Sequence, residues 1–179
     1  HSLWYTEALE GVVIVCDIDG ILANFNGGVV SLMWDYKIPK YAHPRDIPQW
    51  NYLTEEHESL LWNRVKQSSE FWFKLPRMPE AEGANLNKGI LFCTTRAHGY
   101  NVETQTKAWL RDFGVLHPVV ALCKNKVDLL KSIDNVDFII EDKPETMLAC
   151  ATAGFMVYAP VYRYNAHVEH PNIKRYTLL

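Results

Sequence analysis

The most regular pattern along the chain is a series of short apolar runs without the alternation of a half-exposed strand. β-branched and aromatic residues dominate these runs, which is typical of strands buried on both faces of a parallel sheet. The runs cover residues 12–16, 89–93, 119–122, 138–140 and 155–158. We therefore predict a sheet of about five strands.

Capping and stop residues predict helices between the later strands. Asn101 can cap a helix that ends before Gly114. Pro144 suits the first turn of a helix that Gly154 ends, and a shorter helix is expected over residues 126–132. Alternating strands and helices predict an α/β fold, a Rossmann-like parallel sheet with helices on both faces and right-handed crossovers.

One long stretch, between the first and second strands, breaks this alternation. It holds ten of the aromatic residues and no convincing buried strand. Thr54 can cap a helix whose first turn carries two glutamates. Because a bare loop of this length is uncommon in a compact domain, we predict a small helical cap at residues 21–79. The α/β core would then comprise residues 1–20 and 80–179.

The bulk composition excludes several functional classes. With 179 residues, 48% hydrophobic and 22% charged, the chain resembles an ordinary globular domain. A net charge of -3 argues against gripping long nucleic acid. The run at residues 12–16 is too short to span a membrane. Four cysteines without a CxxC pair suggest reduced thiols and a cytoplasmic protein. Exposed aromatic surface on the cap could support a homodimer.

Polar residues follow the predicted strands at their carboxyl ends, which share one edge of a parallel sheet. Carboxylates, hydroxyls and cations thus converge from distant segments on one crevice. Such a set provides oxygen ligands for a magnesium ion and donors for phosphate oxygens. The residues concerned are Asp17, Asp19, Thr94, Thr95, Arg96, Lys124, Lys126, Glu141 and Asp142.

The spacing of the first two carboxylates suggests a division of labour. Residues two apart on an extended backbone point the same way, so Asp17 and Asp19 can approach one phosphorus atom. One can act as the nucleophile, and the other as the acid for the leaving oxygen and then as the base for water. Gly20 permits a sharp turn directly afterwards.

Four segments, in order, resemble the motifs of the haloacid dehalogenase superfamily of phosphotransferases. Residues 15–25 resemble the first motif and residues 91–95 the second. Lys126 stands where the third-motif lysine is expected, and residues 139–142 resemble the acidic fourth motif. The resemblance spans nearly the whole chain, and the ordered set is far more specific than a DxDG segment alone.

A narrower resemblance is to the 5'(3')-deoxyribonucleotidases. Residues 71–81 are similar to the aromatic-rich end of that family's cap, and residues 122–126 and 141–144 also match. Glu141 departs from the family, where Asp is more usual. The resemblance implies that one or two of Phe71, Trp72 and Phe73 face the substrate.

The superfamily resemblance also implies a role for each site residue. Asp17 would form an aspartyl-phosphate, and Asp19 would protonate the leaving alkoxide. Magnesium would be held by Asp17, the backbone carbonyl of Asp19 and Asp142, with Glu141 as a direct or indirect helper. The residues implied in phosphate binding are Thr94, Thr95, Arg96 and Lys126.

Each of these residues also has a structural explanation. Asp17 and Asp19 could stabilise a turn, and the threonines could end a strand or cap a helix. Lys124 and Lys131 compete with Lys126 for the lysine role. Further structural alternatives are helix capping by Glu141 and Asp142, pairing of Arg96 with either of them, core packing of most cap aromatics, and a surface position for His98.

The leading hypothesis is a magnesium-dependent phosphatase for deoxynucleoside monophosphates. The alternatives are a phosphatase for nucleic-acid ends or other small phosphate esters, and a non-catalytic relic that binds a nucleotide or a partner. No GxxxxGK[ST] loop is present, so a fused kinase is not encoded here.

Overall fold

The computed structural model describes residue 11, residues 13–97 and residues 99–176. In these residues six parallel strands form one sheet in the order β3-β2-β1-β4-β5-β6. The strands are β1 Val13–Asp17, β2 Ile90–Thr94, β3 Val119–Leu122, β4 Val136–Ile140, β5 Val157–Pro160 and β6 Ile173–Tyr176. The fold is therefore α/β with a Rossmann-like parallel sheet, as predicted.

Five α-helices connect the strands within the described ranges. They are α1 Phe25–Leu32, α2 Glu55–Gln67, α3 Val102–Phe113, α4 Lys126–Lys131 and α5 Pro144–Thr152. Short 3-10 turns at Pro44–Asp46 and Pro79–Ala81 complete the regular structure. Across the described chain, each helix is too short or too polar to cross a membrane.

The strand order creates a switch point between β1 and β4. From β1 the chain adds β2 and β3 on one side, then returns to place β4, β5 and β6 on the other. Cys16 is level with Ile140, so Asp17 lies beside Glu141 at the carboxyl ends of these two strands. In open parallel sheets the crevice at such a point is the usual ligand site.

Alternate residues of each strand supply two separate hydrophobic clusters. Cys16, Phe92 and Ile140 belong to the cluster on one face, which also contains Trp109 and Leu110 of α3. Val15, Cys93 and Ile139 belong to the cluster on the other face, with the apolar residues of α4 and α5. Helices therefore cover both faces of the sheet, and the four cysteines are free thiols.

The long segment between β1 and β2 packs into the first of these clusters. Val29 of α1 and Leu61 and Val65 of α2 are buried there, together with Trp72. Helices and 3-10 turns cover fewer than half of its residues, less than predicted, and the segment shares its apolar core with one face of the sheet. Its division from the core at residues 21–79 stays a prediction.

Most of the predicted helix ends agree with the structure. The Thr54 hydroxyl accepts the His57 N–H at the start of α2, and Gly114 ends α3 at a φ of 116°. The prediction for Asn101 is wrong in its mechanism: Asn101 precedes α3 in a left-handed conformation, and its side chain makes no capping hydrogen bond. The β1 run predicted from Val12 begins at Val13, and Val12 lies outside the described residues.

β6 is the element that the sequence pattern did not predict. Ile173–Tyr176 is short and mixes apolar with basic residues, and it lies at the edge of the sheet beside β5. Edge strands need no continuous apolar run, because only one neighbour covers their backbone. The sheet therefore has six strands where about five were predicted.

Candidate active site

Lys126 and Asp17 lie together at the switch point. The Lys126 ammonium donates to Asp17 Oδ1 at 2.7 Å and to Glu141 Oε2 at 2.5 Å. Lys126 is nearly fully buried, and Asn125 caps the short α4 that carries it. Burial alone would lower the pKa of Lys126, but the adjacent Asp17 and Glu141 carboxylates raise it well above its usual value. The ammonium therefore stays charged.

The competing lysines are placed differently. Lys124 and Lys131 are both exposed, and within the described chain neither has an ion pair with the carboxylates of this crevice. The alternative in which Lys126 is a solvated lysine at a helix start does not agree with its burial. Lys126 is thus the one lysine of the three that reaches Asp17.

Three buried carboxylates lie together on the β1–β4 side, and those of Asp17 and Glu141 accept from this ammonium. Asp17, Glu141 and Asp142 each offer an oxygen atom, and these three atoms lie within 4.8 Å of one another. Glu141 Oε1 also accepts the backbone N–H of Asp142 at 2.9 Å and that of Lys143 at 3.0 Å. Three carboxylates with one ammonium leave an excess of buried negative charge.

The pKa values reflect this excess. Burial, followed by the nearby Glu141, raises the pKa of Asp17 to about 7. Burial and the charges of Asp17 and Glu141 raise the pKa of Asp142 well above its usual value. Burial also acts to raise the pKa of Glu141, but Lys126 and the local N–H donors outweigh it and lower that pKa. A divalent cation would offset the charge, and carboxylate oxygens are the ligands that magnesium prefers, so the residues fit such an ion.

Gly20 makes room for this cluster. It follows the DxD segment at a φ of 82°, a conformation that favours glycine. A Cβ atom at this position would overlap Asp142 Oδ2. The glycine therefore has two roles, a left-handed turn after β1 and a close approach of backbone to carboxylate.

Residues after β5 hold Asp142 in place. The buried Tyr164 hydroxyl donates to Asp142 Oδ2, and Asn165 Nδ2 donates to the Asp142 carbonyl at 3.0 Å. Burial, then the Asp142 charge, raises the pKa of Tyr164 well above its usual value, so its hydroxyl keeps the proton that it donates. Tyr162 similarly donates to the Gly20 carbonyl at 2.8 Å.

Arg175 of β6 stabilises the segment after β5 through hydrogen bonds. Its guanidinium donates to Asn165 Oδ1 at 3.0 Å and to the Asn165 carbonyl at 2.6 Å. It also donates to the carbonyls of Pro160 and Val168. The edge strand is thereby linked through Asn165 to Asp142.

Asp19 interacts with Arg96 instead of joining the carboxylate cluster. Arg96 Nε and Nη2 donate to the two oxygens of Asp19 at 2.9 and 2.7 Å. Arg96 is buried, donates to the Thr106 hydroxyl at 2.9 Å and lies 4.5 Å above the Trp72 ring. The alternative pairing of Arg96 with Glu141 or Asp142 is not observed.

The two threonines at the carboxyl end of β2 differ in exposure. Thr94 is buried, and its hydroxyl accepts the Arg96 N–H at 3.3 Å. Thr95 is exposed. Both line the same cleft as Asp17, Lys126 and Asp142. His98, which follows them, lies outside the described residues.

This cleft has a volume of about 340 Å³ and an aromatic wall. Of the three aromatics singled out from the sequence, Trp72 lines it. Phe71 is buried beneath, edge-on to Phe25 at 5.8 Å, and Phe73 is partly exposed. Neither is among the described residues that line the cleft.

A second cavity, which we call the inner pocket, continues from the cleft beneath α1 and α2. Its volume is about 200 Å³, and Phe25, Trp50, Tyr52 and Trp62 line it together with Asn26. It shares Phe25, Trp50 and Trp62 with the cleft. The aromatic walls therefore come mainly from residues between β1 and β2 that were not singled out from the sequence as facing a substrate.

One signal could have identified Tyr164 and Asn165. They follow β5 at the same sheet edge as the other site residues, so the carboxyl-end rule applied to the fifth strand points to them. For Trp50 and Trp62 the sequence carries no comparable signal, because aromatic residues are equally expected in the core of a cap.

Neither a protein-family model nor a curated protein sequence matches this chain. Solved structures with a similar arrangement include a hydrolase from Pseudomonas syringae, 14% identical, with a TM-score of 0.49 and 83% of each chain covered. Another is a HAD-superfamily hydrolase of subfamily IA, variant 1, from Geobacter sulfurreducens, 12% identical, with a TM-score of 0.49 and coverage of 86% of this chain and 93% of that one.

Proposed function

We propose that the protein is a magnesium-dependent phosphomonoester hydrolase that acts through an aspartyl-phosphate on Asp17. The observation that carries the proposal is the buried group of Asp17, Lys126, Glu141 and Asp142 at the switch point of the sheet. A nucleophilic carboxylate, a fixed ammonium and an excess of oxygen ligands are what phosphoryl transfer requires.

In the first step an Asp17 oxygen attacks the phosphorus atom, and the bond from phosphorus to the leaving oxygen breaks. Asp19 gives its proton to that oxygen, which departs as an alcohol. In the second step water attacks the phosphorus of the aspartyl-phosphate and loses a proton to Asp19. Inorganic phosphate leaves, and Asp17 is regenerated.

The surrounding residues stabilise the charge that moves during these steps. The Lys126 ammonium and the Thr94 hydroxyl can donate to the phosphoryl oxygens. Asp17, Glu141 and Asp142 would hold the magnesium ion, which neutralises phosphate charge beside these carboxylates when it is bound. Tyr164 and Asn165 keep Asp142 oriented for this role.

The guanidinium of Arg96 can donate hydrogen bonds both to Asp19, the proposed acid, and to the phosphate. Both Asp19 oxygens accept from the Arg96 guanidinium, so the carboxylate is held beside the cleft. A phosphate in the cleft would offer Arg96 a second anion. Arg96 can then shift part of its hydrogen bonding to the phosphoryl group, which frees Asp19 to carry the proton that the leaving oxygen needs.

The substrate class that we propose is the (deoxy)nucleoside monophosphates. The inner pocket, with Phe25, Trp50 and Trp62, offers a flat ring an aromatic environment beside the phosphate site. Stacking of a base on such side chains typically contributes ~1–3 kcal/mol. Asn26 provides an amide for base or sugar edges.

A substrate panel tests the proposal. With magnesium, the protein is expected to release phosphate from deoxynucleoside monophosphates faster than from sugar phosphates. Asp17→Asn should abolish turnover of every substrate, whereas Asp134→Asn, an exposed carboxylate in the turn before β4, should leave it unchanged. Rapid turnover of sugar phosphates with none of nucleotides would contradict the substrate class, and turnover by Asp17→Asn would contradict the mechanism.

A further inference from the structure

A third cavity lies on the outer side of Trp50. This outer pocket is lined by Gln49, Trp50, Lys143, Glu145, Arg163 and His167, and its volume is about 440 Å³. Trp50 and Lys143 also line the catalytic cleft, and Trp50 and Tyr164 also line the inner pocket. Trp50 therefore stands where the three cavities meet.

The outer pocket concentrates basic groups in a chain whose net charge is -3. Lys143, Arg163 and His167 face one carboxylate among the described lining residues, that of Glu145. In the described part of the chain, the ion pairs involve neither Arg163 nor His167. Lys143 lies 5.7 Å from the centre of the Trp50 ring. The Lys143 and Arg163 cations outnumber the carboxylates among the described lining residues, which favours an anionic ligand.

Buried side chains and hydrogen bonds fix the turn that carries Arg163 and His167. The neighbouring Tyr162, Tyr164 and Asn165 are buried, and Asn165 Oδ1 accepts the Tyr162 N–H at 2.9 Å. Arg175 fixes the same turn through the carbonyls of Asn165 and Val168. The backbone beneath both basic side chains is thus positioned before any ligand arrives, which lowers the entropy cost of binding.

We propose that the outer pocket binds a second anionic group of the substrate, a phosphate or carboxylate carried on the leaving group. This inference rests on the proposed function, since it takes the first phosphate to lie at Asp17. A leaving group that packs against Trp50 passes from the catalytic cleft towards Lys143 and Arg163. The substrate class is then a phosphate ester with two anionic groups, such as a nucleoside bisphosphate.

Binding to the Asp17→Asn protein tests this without turnover. Calorimetry with magnesium at low ionic strength would compare 2'-deoxyadenosine 5'-monophosphate with the 3',5'-bisphosphate. The bisphosphate is expected to bind more tightly. Adding Arg163→Gln should weaken binding of the bisphosphate about fivefold, which is the scale of one exposed charge pair. Binding of the monophosphate should weaken by much less. Adding His167→Gln as well should further reduce the difference in affinity between the bisphosphate and the monophosphate.

Arg111→Gln, an exposed arginine on α3 outside these cavities, is the matched control and should change neither affinity. An equal affinity for the two nucleotides, or an unchanged ratio in Arg163→Gln, would overturn the subsite. Failure of the proposed function has a separate signature. The wild-type protein would then release no phosphate from any ester, whatever the two nucleotides show in the Asp17→Asn protein.

Discussion

Gly20 shows at the scale of one residue how the backbone and the carboxylate cluster depend on each other. Gly20→Ala adds a Cβ that overlaps Asp142 Oδ2, in addition to the strain of a φ of 82°. We expect this variant to lose magnesium affinity and activity, because Asp142 must move. Magnesium titration by calorimetry and a thermal unfolding curve would measure the two effects.

Gly83 provides the matched control for this substitution. Its φ is 78°, but nothing lies within 4 Å of the position of an added Cβ. Gly83→Ala should therefore cost only the strain of the left-handed conformation, about 1–2 kcal/mol. Equal magnesium affinity in the two variants would contradict the role of Gly20 in admitting Asp142.

The raised pKa of Asp17 predicts that the stability of the metal-free protein depends on pH. Its pKa is raised from 3.8 to about 7, so the folded state holds the proton more tightly than the unfolded state. The contribution of Asp17 is fully favourable below its unfolded pKa and is lost as the pH rises through about 7. Wild-type protein in a chelator should thus lose stability relative to Asp17→Asn across this window.

Denaturant unfolding of both proteins between about pH 4 and pH 8 would measure this difference. Asp17→Asn keeps an oxygen that can accept from Lys126 and has no carboxylate to ionise. Magnesium added at the upper end of this pH range should restore the stability of the wild-type protein. A stability difference between the two proteins that does not vary with pH would contradict the raised pKa of Asp17.

At the scale of elements, β6 acts on the site through Arg175. Replacing this arginine with lysine removes most of its four hydrogen bonds to Pro160, Asn165 and Val168. We expect a loss of stability of about 2–3 kcal/mol, because each lost bond contributes roughly 1 kcal/mol. Magnesium affinity should also fall, since Asn165 holds the Asp142 backbone.

Lys174→Gln, at the exposed neighbouring position of β6, is the control and should change both quantities little. Unfolding curves and magnesium calorimetry on the same preparations separate the two effects. Lower stability with unchanged magnesium affinity would show that Arg175 supports the edge of the sheet and does not position Asp142.

Prediction from the sequence succeeded where an element carries its own local signal. The apolar runs of β1 to β5 and the caps at Thr54 and Gly114 are such signals. The run of β3 was wrongly predicted to be buried on both faces: β3 is an edge strand, and its Val119 and Leu122 are exposed. β6 has no such pattern, because it is a short edge strand that mixes apolar with basic residues. Asn101 shows the opposite error, since a residue type that often caps helices here adopts a left-handed conformation instead.

At the scale of the molecule, the sheet brings distant segments together, and the carboxyl-end rule predicted this for most of the polar residues. Asp17, Lys126, Glu141 and Asp142 meet as that rule requires. The pairing of Asp19 with Arg96 was not foreseen, because the side-chain direction depends on Trp72 and Thr106 packing around the guanidinium. The cavity walls also depend on how the cap packs, which no local pattern encodes.

A burst experiment with Asp19→Asn and p-nitrophenyl phosphate tests whether Asp17 is the nucleophile. Nitrophenolate leaves without a proton, so Asp17 can still be phosphorylated in this variant, whereas hydrolysis of the aspartyl-phosphate lacks its base. We predict a rapid release of nitrophenolate equal to the amount of protein, followed by a slow phase, and no burst when Asp17→Asn is added. Release by the Asp17→Asn protein at the wild-type rate would contradict Asp17 as the nucleophile.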